Sequence, residues 1–366
     1  MKNTFGSSVC LTVFGESHGE AIGAVIDGLC PGITVDTEKI NSALAKRRPS
    51  SNIDTSRREK DEFKILSGVF NGKTTGTPIC IVIPNGDTKS SDYERTRFLA
   101  RPSHADYTAF CKYHGYEDYR GGGHFSGRIT AAIVAAGAII LSALDNVGIK
   151  IGTHILKCAS VSDREFCDVE EDIKIIKNKS FPVLSDCEKA MEDEIMKAKF
   201  NLDSVGGILQ TAVTGVPAGV GEPWFDSVES ILSHALFSVG AIKGIEFGKG
   251  FALSGMRGSE ANDAFCMKDG KVVTETNNNG GILGGITNGM PIIFNCAVKP
   301  TASIAKEQDT IDFSKNENAK IKIQGRHDPA IIRRACPVVE SVTAVAICDM
   351  MAQRYGTDVF LNGEKI

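Results

Sequence analysis

The sequence predicts an α+β fold, in which strands gather in groups and helices are laid against them in layers. Two features carry that prediction: apolar, partly β-branched runs recur along the chain, and four long helical segments break up the series without strict β-α alternation. Size is the third, because 366 residues with 42% hydrophobic content suffice for one large or two modest cores. No Pro/Ser-rich linker, short-period repeat or low-complexity segment marks a boundary.

In chain order, "SVCLTVFG" and "AIGAVIDG" read as the first strands, and "DTEKINSALAKRR" as a helix with Asp36 as its N-cap. A hairpin follows, with "EFKILSGVF" and "PICIVIPN" joined through the Asn-Gly turn of "NGK". Later strands are expected at "IKIGTHILKCASV", "GILQTAVTGV", "AIKGIEFG", "KVVTET" and "PIIFNCAVKP". The helices are "ITAAIVAAGAIILSAL", "DCEKAMEDEIMKAKF", "SVESILSHALFSV" and "PVVESVTAVAICDMMAQRYG". The charged stretch from Asp163 to Asp203 is expected at the periphery.

Charge and cysteine usage exclude several classes. Lys+Arg 41 against Asp+Glu 45 gives 41 − 45 = −4, so no overall basic surface awaits nucleic acid and any anion site is local. The longest apolar run, Ala131 to Leu144, is too short to span a bilayer and reads as a buried helix. The N-terminus meets Glu16 and His18 before a signal-peptide core can form, which points to a cytoplasmic protein. Eleven cysteines without a CxxC pair indicate reduced thiols, with neither zinc site nor disulfide framework.

A glycine run and three histidine clusters carry chemistry. In "RGGGHFSGRITAAIVAAGAII", Gly122 to Gly127 have P-loop spacing, but Arg128 and Ile129 stand where that motif needs Lys and Ser/Thr, and no buried strand precedes it. Arg128 at the helix start can instead join backbone N–H groups in holding an anion. "FGESHGEAIG" sets Ser17 and His18 between glycines at a strand end, and "RPSHAD" places His104 three residues after Arg101. "GRHDP" puts Arg326, His327 and Asp328 together before a helix. A Ser-His-Asp hydrolase is disfavoured because Ser17 lacks a G-x-S-x-G context. The three clusters suggest a pocket for a multiply anionic small molecule, with general acids beside it.

These residues, with "AVIDGLCPG", "RRP", "SGVFNGKTTGTPI", "YRGGG", "GEPWFDSVESILSHALFSVGAIKGIEFG", "NNNGGILGGITNG" and "AVKPT", resemble the chorismate synthase family in collinear order from about Gly15 to about Ser341. The resemblance implies a β-α-β sandwich, with helices packed between antiparallel sheets, in one domain over 1–366, assembled as a homotetramer. It implies an anti-1,4 elimination of phosphate from 5-enolpyruvylshikimate-3-phosphate to give chorismate, requiring reduced FMN without net redox change. By matching positions, His18 would be the acid assisting phosphate departure with Ser17 nearby. His104 would protonate the reduced flavin or hold its anionic form, and Asp328 would act with flavin N5 on the ring proton. Arg48 and Arg326 would hold substrate anions, while Arg101, Ser126, Arg128, Asn262, Lys299 and Ser303 would line the flavin or its phosphate. On spacing alone, Arg48 reads rather as a helix C-terminal cation and Lys299 as a solvated strand end.

The chain departs from the commonest family pattern at His124, Phe125, Gly127 and Ile129, where an arginine and a carboxylate are lost, and at Asn52 or Ile53, where another arginine is usual. If His124 contacts an anion, that binding weakens as pH rises. The absence of a G-x-G-x-x-G after a strand disfavours a flavin-dependent reductase, so an external flavin reductant is expected. A non-catalytic anion-binding scaffold is the other alternative, which substrate turnover would decide.

Overall fold

Residues two apart along β3 (Ala21–Asp27) and β7 (Ile79–Pro84) decide the first sheet. Ile22, Ala24 and Ile26 stand opposite Ile83, Ile81 and Ile79, and this apolar face is buried. With β1 (Thr4–Phe5), β2 (Cys10–Gly15) and β4 (Lys64–Ile65) the order is β1-β2-β3-β7-β4. A second sheet runs β11-β16-β10-β8-β9, from Ile242–Phe247 (β11), Ile292–Val298 (β16), Gly207–Thr214 (β10), Lys150–Cys158 (β8) and Val161–Ser162 (β9). Every pairing in both is antiparallel. The computed structural model describes residues 2–55, 59–86, 94, 96–323 and 328–361.

The helices are α1 (Thr37–Arg47), α2 (Asp106–Tyr113), α3 (Thr130–Asn146), α4 (Val169–Lys177), α5 (Glu188–Phe200), α6 (Val228–Phe237) and α7 (Ile332–Tyr355), with a single further turn at Gly258–Ala261. Helix α3 lies against β3 and β7, α7 against β8 and β10, and the two pack on each other, so a helical layer is sandwiched between the sheets. The predicted cap of α1 forms: the Asp36 carboxylate accepts from the N–H groups of Glu38 and Lys39 at 2.9 and 3.3 Å.

Gly137 decides how closely α3 and α7 approach. A Cβ there would lie 2.8 Å from Ser341 Cα and collide with that side chain, so only glycine fits mid-helix. Gly137→Ala should therefore destabilise by about 1–3 kcal/mol, despite the better helix propensity of alanine, and lower the thermal midpoint by several degrees. An unchanged midpoint would mean that the helices move apart at no cost.

Four expectations need correction. Gly127–Asn146 makes a helical stretch of 20 residues, long and apolar enough to cross a bilayer; what makes it a core element is burial of 72% of its most apolar window, with 89% for α7. The long hairpin is broken: the Asn71-Gly72 turn forms at positive φ (49° and 73°), but it joins only the two-residue strands β5 (Val69–Phe70) and β6 (Lys73–Thr74). Gly68 and Gly76, at φ 79° and 83°, turn the chain on either side, and β4 pairs separately with β7. Helix α7 starts before Pro337, at Ile332, giving up one main-chain bond to the Arg333 carbonyl. Finally, the charged segment 163–203 forms α4 and α5, whose Ile173, Ile176, Met191 and Ile195 are buried; α4 packs on β8 and β10.

Besides the short hairpins of β12 (Phe265–Lys268) with β13 (Lys271–Thr274) and β14 (Ile282–Leu283) with β15 (Ile286–Thr287), a hairpin of β17 (Glu307–Asp312) and β18 (Glu317–Lys322) escapes the hydrophobic pattern because both strands are largely polar. It matters for the site. The Thr310 hydroxyl donates to the Ala100 carbonyl, and the Phe313 ring meets Phe98 edge to face and Phe110 at a tilt, with centroids 5.7 and 4.8 Å apart, fastening the segment that carries Arg101 and His104.

Candidate active site

Three loops converge. The turn from β2 to β3 opens at Gly15 (φ 97°), where a side chain would hit the backbone of Ala21 and Ile22, and it delivers Ser17 and His18 into a buried position. The glycine run follows α2 and takes positive φ at Gly121, Gly122 and Gly123 (61°, 87° and 52°). It lies across that turn: Ser17 N–H donates to the Gly123 carbonyl at 3.1 Å, and Ser17 Oγ to the Arg120 carbonyl at 3.2 Å. A Cβ on Gly121 would collide with the His18 ring, and one on Gly122 would stand 3.1 Å from His104 Cε1. Two adjacent glycines thus hold the two imidazoles beside one loop.

The third loop, Arg101 to Asp106, is folded on its own carboxylate. Asp106 accepts from Arg101 N at 2.9 Å, from Arg101 Nε at 2.7 Å and Nη2 at 2.6 Å, and from His104 Nδ1 at 2.8 Å. Burial raises the Asp106 pKa, but the hydrogen bonds from Arg101 and His104 overcome this and hold the carboxyl well below the usual carboxylate range. Lys299 Nζ donates to the Ser103 carbonyl at 2.6 Å, and Arg101 Nη1 lies 3.5 Å from Ser303 Oγ, which brings the 299–303 loop to the same place.

Each of the three histidines has Nδ1 engaged by a neighbour. His18 Nδ1 is 3.1 Å from Ser17 Oγ, whose single proton is shared between that ring and the Arg120 carbonyl at 3.2 Å. His104 Nδ1 lies 2.8 Å from Asp106 Oδ1, which only accepts, and 3.0 Å from Arg101 Nη2, which only donates; the shorter, charge-assisted contact favours a proton on Nδ1. His124 Nδ1 faces the Gly15 carbonyl at 2.8 Å, and a neutral ring there carries its proton on Nδ1.

A buried charge network adjoins the loops. Arg128 donates Nε to Asn85 Oδ1 at 3.0 Å, Nη2 to the Pro84 carbonyl at 3.1 Å and Nη1 to Asp61. The same Asp61 receives Arg47 Nη1 at 3.2 Å. The Arg128 guanidinium is thereby directed into the protein. Asp54 accepts from Ser50 N and Ser51 N at 2.8 and 3.0 Å and from Arg333, while Asp328 is paired with Arg334. Burial lowers the Arg334 pKa against the opposing pull of Asp54 and Asp61.

The structure thus brings together Ser17, His18, Arg101, His104, Lys299 and Ser303 around the glycine run. Arg48 donates Nη1 to the Lys60 carbonyl at 2.8 Å, and its own carbonyl lies 3.5 Å from Arg333 Nη2, beside the Asp54 group. Ser126 caps the turn before α3 by accepting from Arg128 N at 3.3 Å. Asn262 is exposed at the end of the Gly258–Ala261 turn, and among the described residues no contact joins it to the other candidates. Arg326 lies outside the described residues. Asp106, Asp61, Asp54, Arg333 and Arg334 were not singled out by sequence. Asp106 carried a signal, a carboxylate two residues after His104, whereas the others carried none.

The family model described as chorismate synthase matches residues 9–352. The chain belongs to the chorismate synthase family. Relatives named chorismate synthase include those of Thermococcus kodakarensis, 46% identical over 95% of this chain and 97% of the relative, and of Lachnoclostridium phytofermentans, 45% identical over 95% of each. A crystal structure of a chorismate synthase superposes with TM-score 0.76 and 27% identity, covering 96% of this chain and 94% of that one. Membership makes the protein an enzyme, a lyase with the activity for which the family is named. The β-α-β sandwich implied by the resemblance is the architecture found.

Proposed function

We propose that the protein catalyses the anti-1,4 elimination of phosphate from 5-enolpyruvylshikimate-3-phosphate, giving chorismate, with reduced FMN as cofactor. This would be the last common step of aromatic amino acid biosynthesis. The observation that carries the reading is the pair of imidazoles, His18 and His104, held by Gly121 and Gly122 in a chain matched to the family over residues 9–352.

In the elimination a ring C–H bond and the ring C–O bond to phosphate break, and the C–H electron pair becomes part of a new C=C bond. His18, when protonated, offers Nε2–H to the departing phosphate, because Nδ1 is committed to Ser17. His104 holds or gives a proton at Nε2, oriented by Asp106. Asp328, oriented by Arg334, is the carboxylate assigned to receive the ring proton. Arg48 and Arg326 are assigned to the substrate's anions.

The 299–303 loop suits a phosphate-bearing cofactor: Lys299, Ser303 and Arg101 Nη1 converge there, and Thr301 Oγ1 is buried without a partner among the described residues. These residues, with Ser126 and Asn262, are assigned to FMN; Arg128, expected from the family match to line the flavin, instead turns its guanidinium to Asp61, Asn85 and the Pro84 carbonyl and braces the loop from behind. Bound there, reduced FMN would supply electron density transiently with no net redox change, and these residues would hold and orient it. The enzyme is read as monofunctional, cytoplasmic and supplied by an external flavin reductant. Eleven free thiols support the compartment. Exposed Trp224, Phe225, Phe251, Phe265 and Met267 support assembly as a homotetramer.

Anaerobic incubation with 5-enolpyruvylshikimate-3-phosphate and chemically reduced FMN is expected to give chorismate and phosphate in equal amounts, with none from oxidised FMN plus NADPH. Chorismate in both mixtures would add a built-in reductase. Chorismate in neither, from folded protein that binds FMN, would overturn the assignment.

A further inference from the structure

We propose that His124 is a positioning residue that ties the glycine run to the Ser17–His18 turn through its Nδ1–H, rather than a cation for an anionic ligand. The inference rests on the reading above for what is being positioned, and on three observations for the tie itself.

His124 Nδ1 lies 2.8 Å from the Gly15 carbonyl oxygen, an acceptor with no proton to give, so the bond runs from histidine to backbone. Gly15 is where the turn begins, and its φ of 97° leaves it no side chain with which to fix itself. The other ties between the glycine run and the turn, Ser17 N–H to the Gly123 carbonyl and Ser17 Oγ to the Arg120 carbonyl, both start from Ser17, while Asn85 Nδ2 holds the Glu16 and Gly19 carbonyls from the other side at 2.9 Å each. His124 adds a bond from the glycine run to the entrance of the turn, two residues earlier. The glycine run then meets the turn at Gly15 as well as at Ser17, so the run cannot pivot about Ser17 alone against the turn that carries His18.

An anion-binding role needs the imidazolium and weakens as it deprotonates. A donor role through Nδ1 does not, because Nδ1 bears its proton in both the cation and this neutral tautomer. The two roles separate cleanly by substitution. Asparagine places an amide N–H close to the Nδ1 position, glutamine places one near Nε2, and alanine places none.

His124→Asn is expected to keep kcat within about threefold of the parent, while His124→Ala and His124→Gln lose about 10- to 100-fold in kcat with KM and flavin Kd little changed, as for a misplaced catalytic group. In the parent, nitrogen-detected NMR near neutral pH should show the His124 ring protonated at Nδ1; this readout needs no turnover and stands whether or not the proposed reaction is correct. Loss of affinity rather than of kcat in His124→Ala, with no rescue by asparagine, would assign His124 to anion binding and overturn the proposal. So would an Nε2–H tautomer, or an alanine variant with full activity. Absence of chorismate from the parent, with the Nδ1–H tautomer seen, would count against the reaction and leave the tie intact.

Discussion

Gly121→Ala is expected to cut chorismate formation by about three orders of magnitude or more. At φ 61° the position favours glycine, and an added Cβ would collide with the His18 ring and stand 2.8 Å from Ser17 Oγ. The neighbours cannot yield independently, because Ser17 is bonded to both the Gly123 and Arg120 carbonyls. A positioned general acid contributes about 10²–10⁴ to rate, and moving His18 forfeits most of it. Single-turnover kinetics with reduced FMN would measure the loss, alongside circular dichroism to show that the fold persists. Activity within tenfold of the parent would show that His18 does not need this loop.

Asp106→Asn should cost about 10- to 100-fold in kcat, by analogy with carboxylates that orient a functional histidine. An amide cannot accept four hydrogen bonds from Arg101 and His104 as a carboxylate does, and turning its NH₂ toward His104 Nδ1 would favour the opposite tautomer. The pH dependence of stability should change as well. The folded pKa of Asp106 is depressed below its unfolded value. Its contribution to stability is therefore fully present above about pH 4 and is lost as pH falls through the folded value. Chemical denaturation at a series of pH values, followed by far-UV circular dichroism, should show the Asp106→Asn variant less stable at neutral pH, with a smaller further loss on acidification. Equal acid sensitivity in parent and variant would deny Asp106 that role.

Local chemistry was legible along the chain. The cap of α1 lies in Asp36 and the two residues after Thr37, and the Asn71-Gly72 turn in its own dipeptide, so neither needs distant partners. Helix α3 and strands β3, β8, β10 and β16 follow their apolar spacing for the same reason. The β17–β18 hairpin was not legible, because cross-strand pairs such as Lys320 with Glu307 at 3.2 Å leave no hydrophobic period to read. Nor was the start of α7, where Pro337 looks like a first-turn residue and sits instead in the interior.

For the site, motif spacing pointed to His18 and His104, but not to what holds them. Arg128 shows the difference most clearly. From sequence it is a cation at a helix start, open to an anion, whereas in the fold Asp61, Asn85 and the Pro84 carbonyl take its donors. Asp61 is separated from Arg128 by 67 positions, and Asp54 from Arg333 by 279. The sequence by itself determined the apolar strands and helices, the family and the residue types in the site, because each depends on short stretches of chain. Only the tertiary structure decided that His18 and His104 share one glycine loop, what each Nδ1 meets, and which arginines are already paired with carboxylates. Those depend on hydrogen bonds between segments that meet only when the two sheets close over the helices.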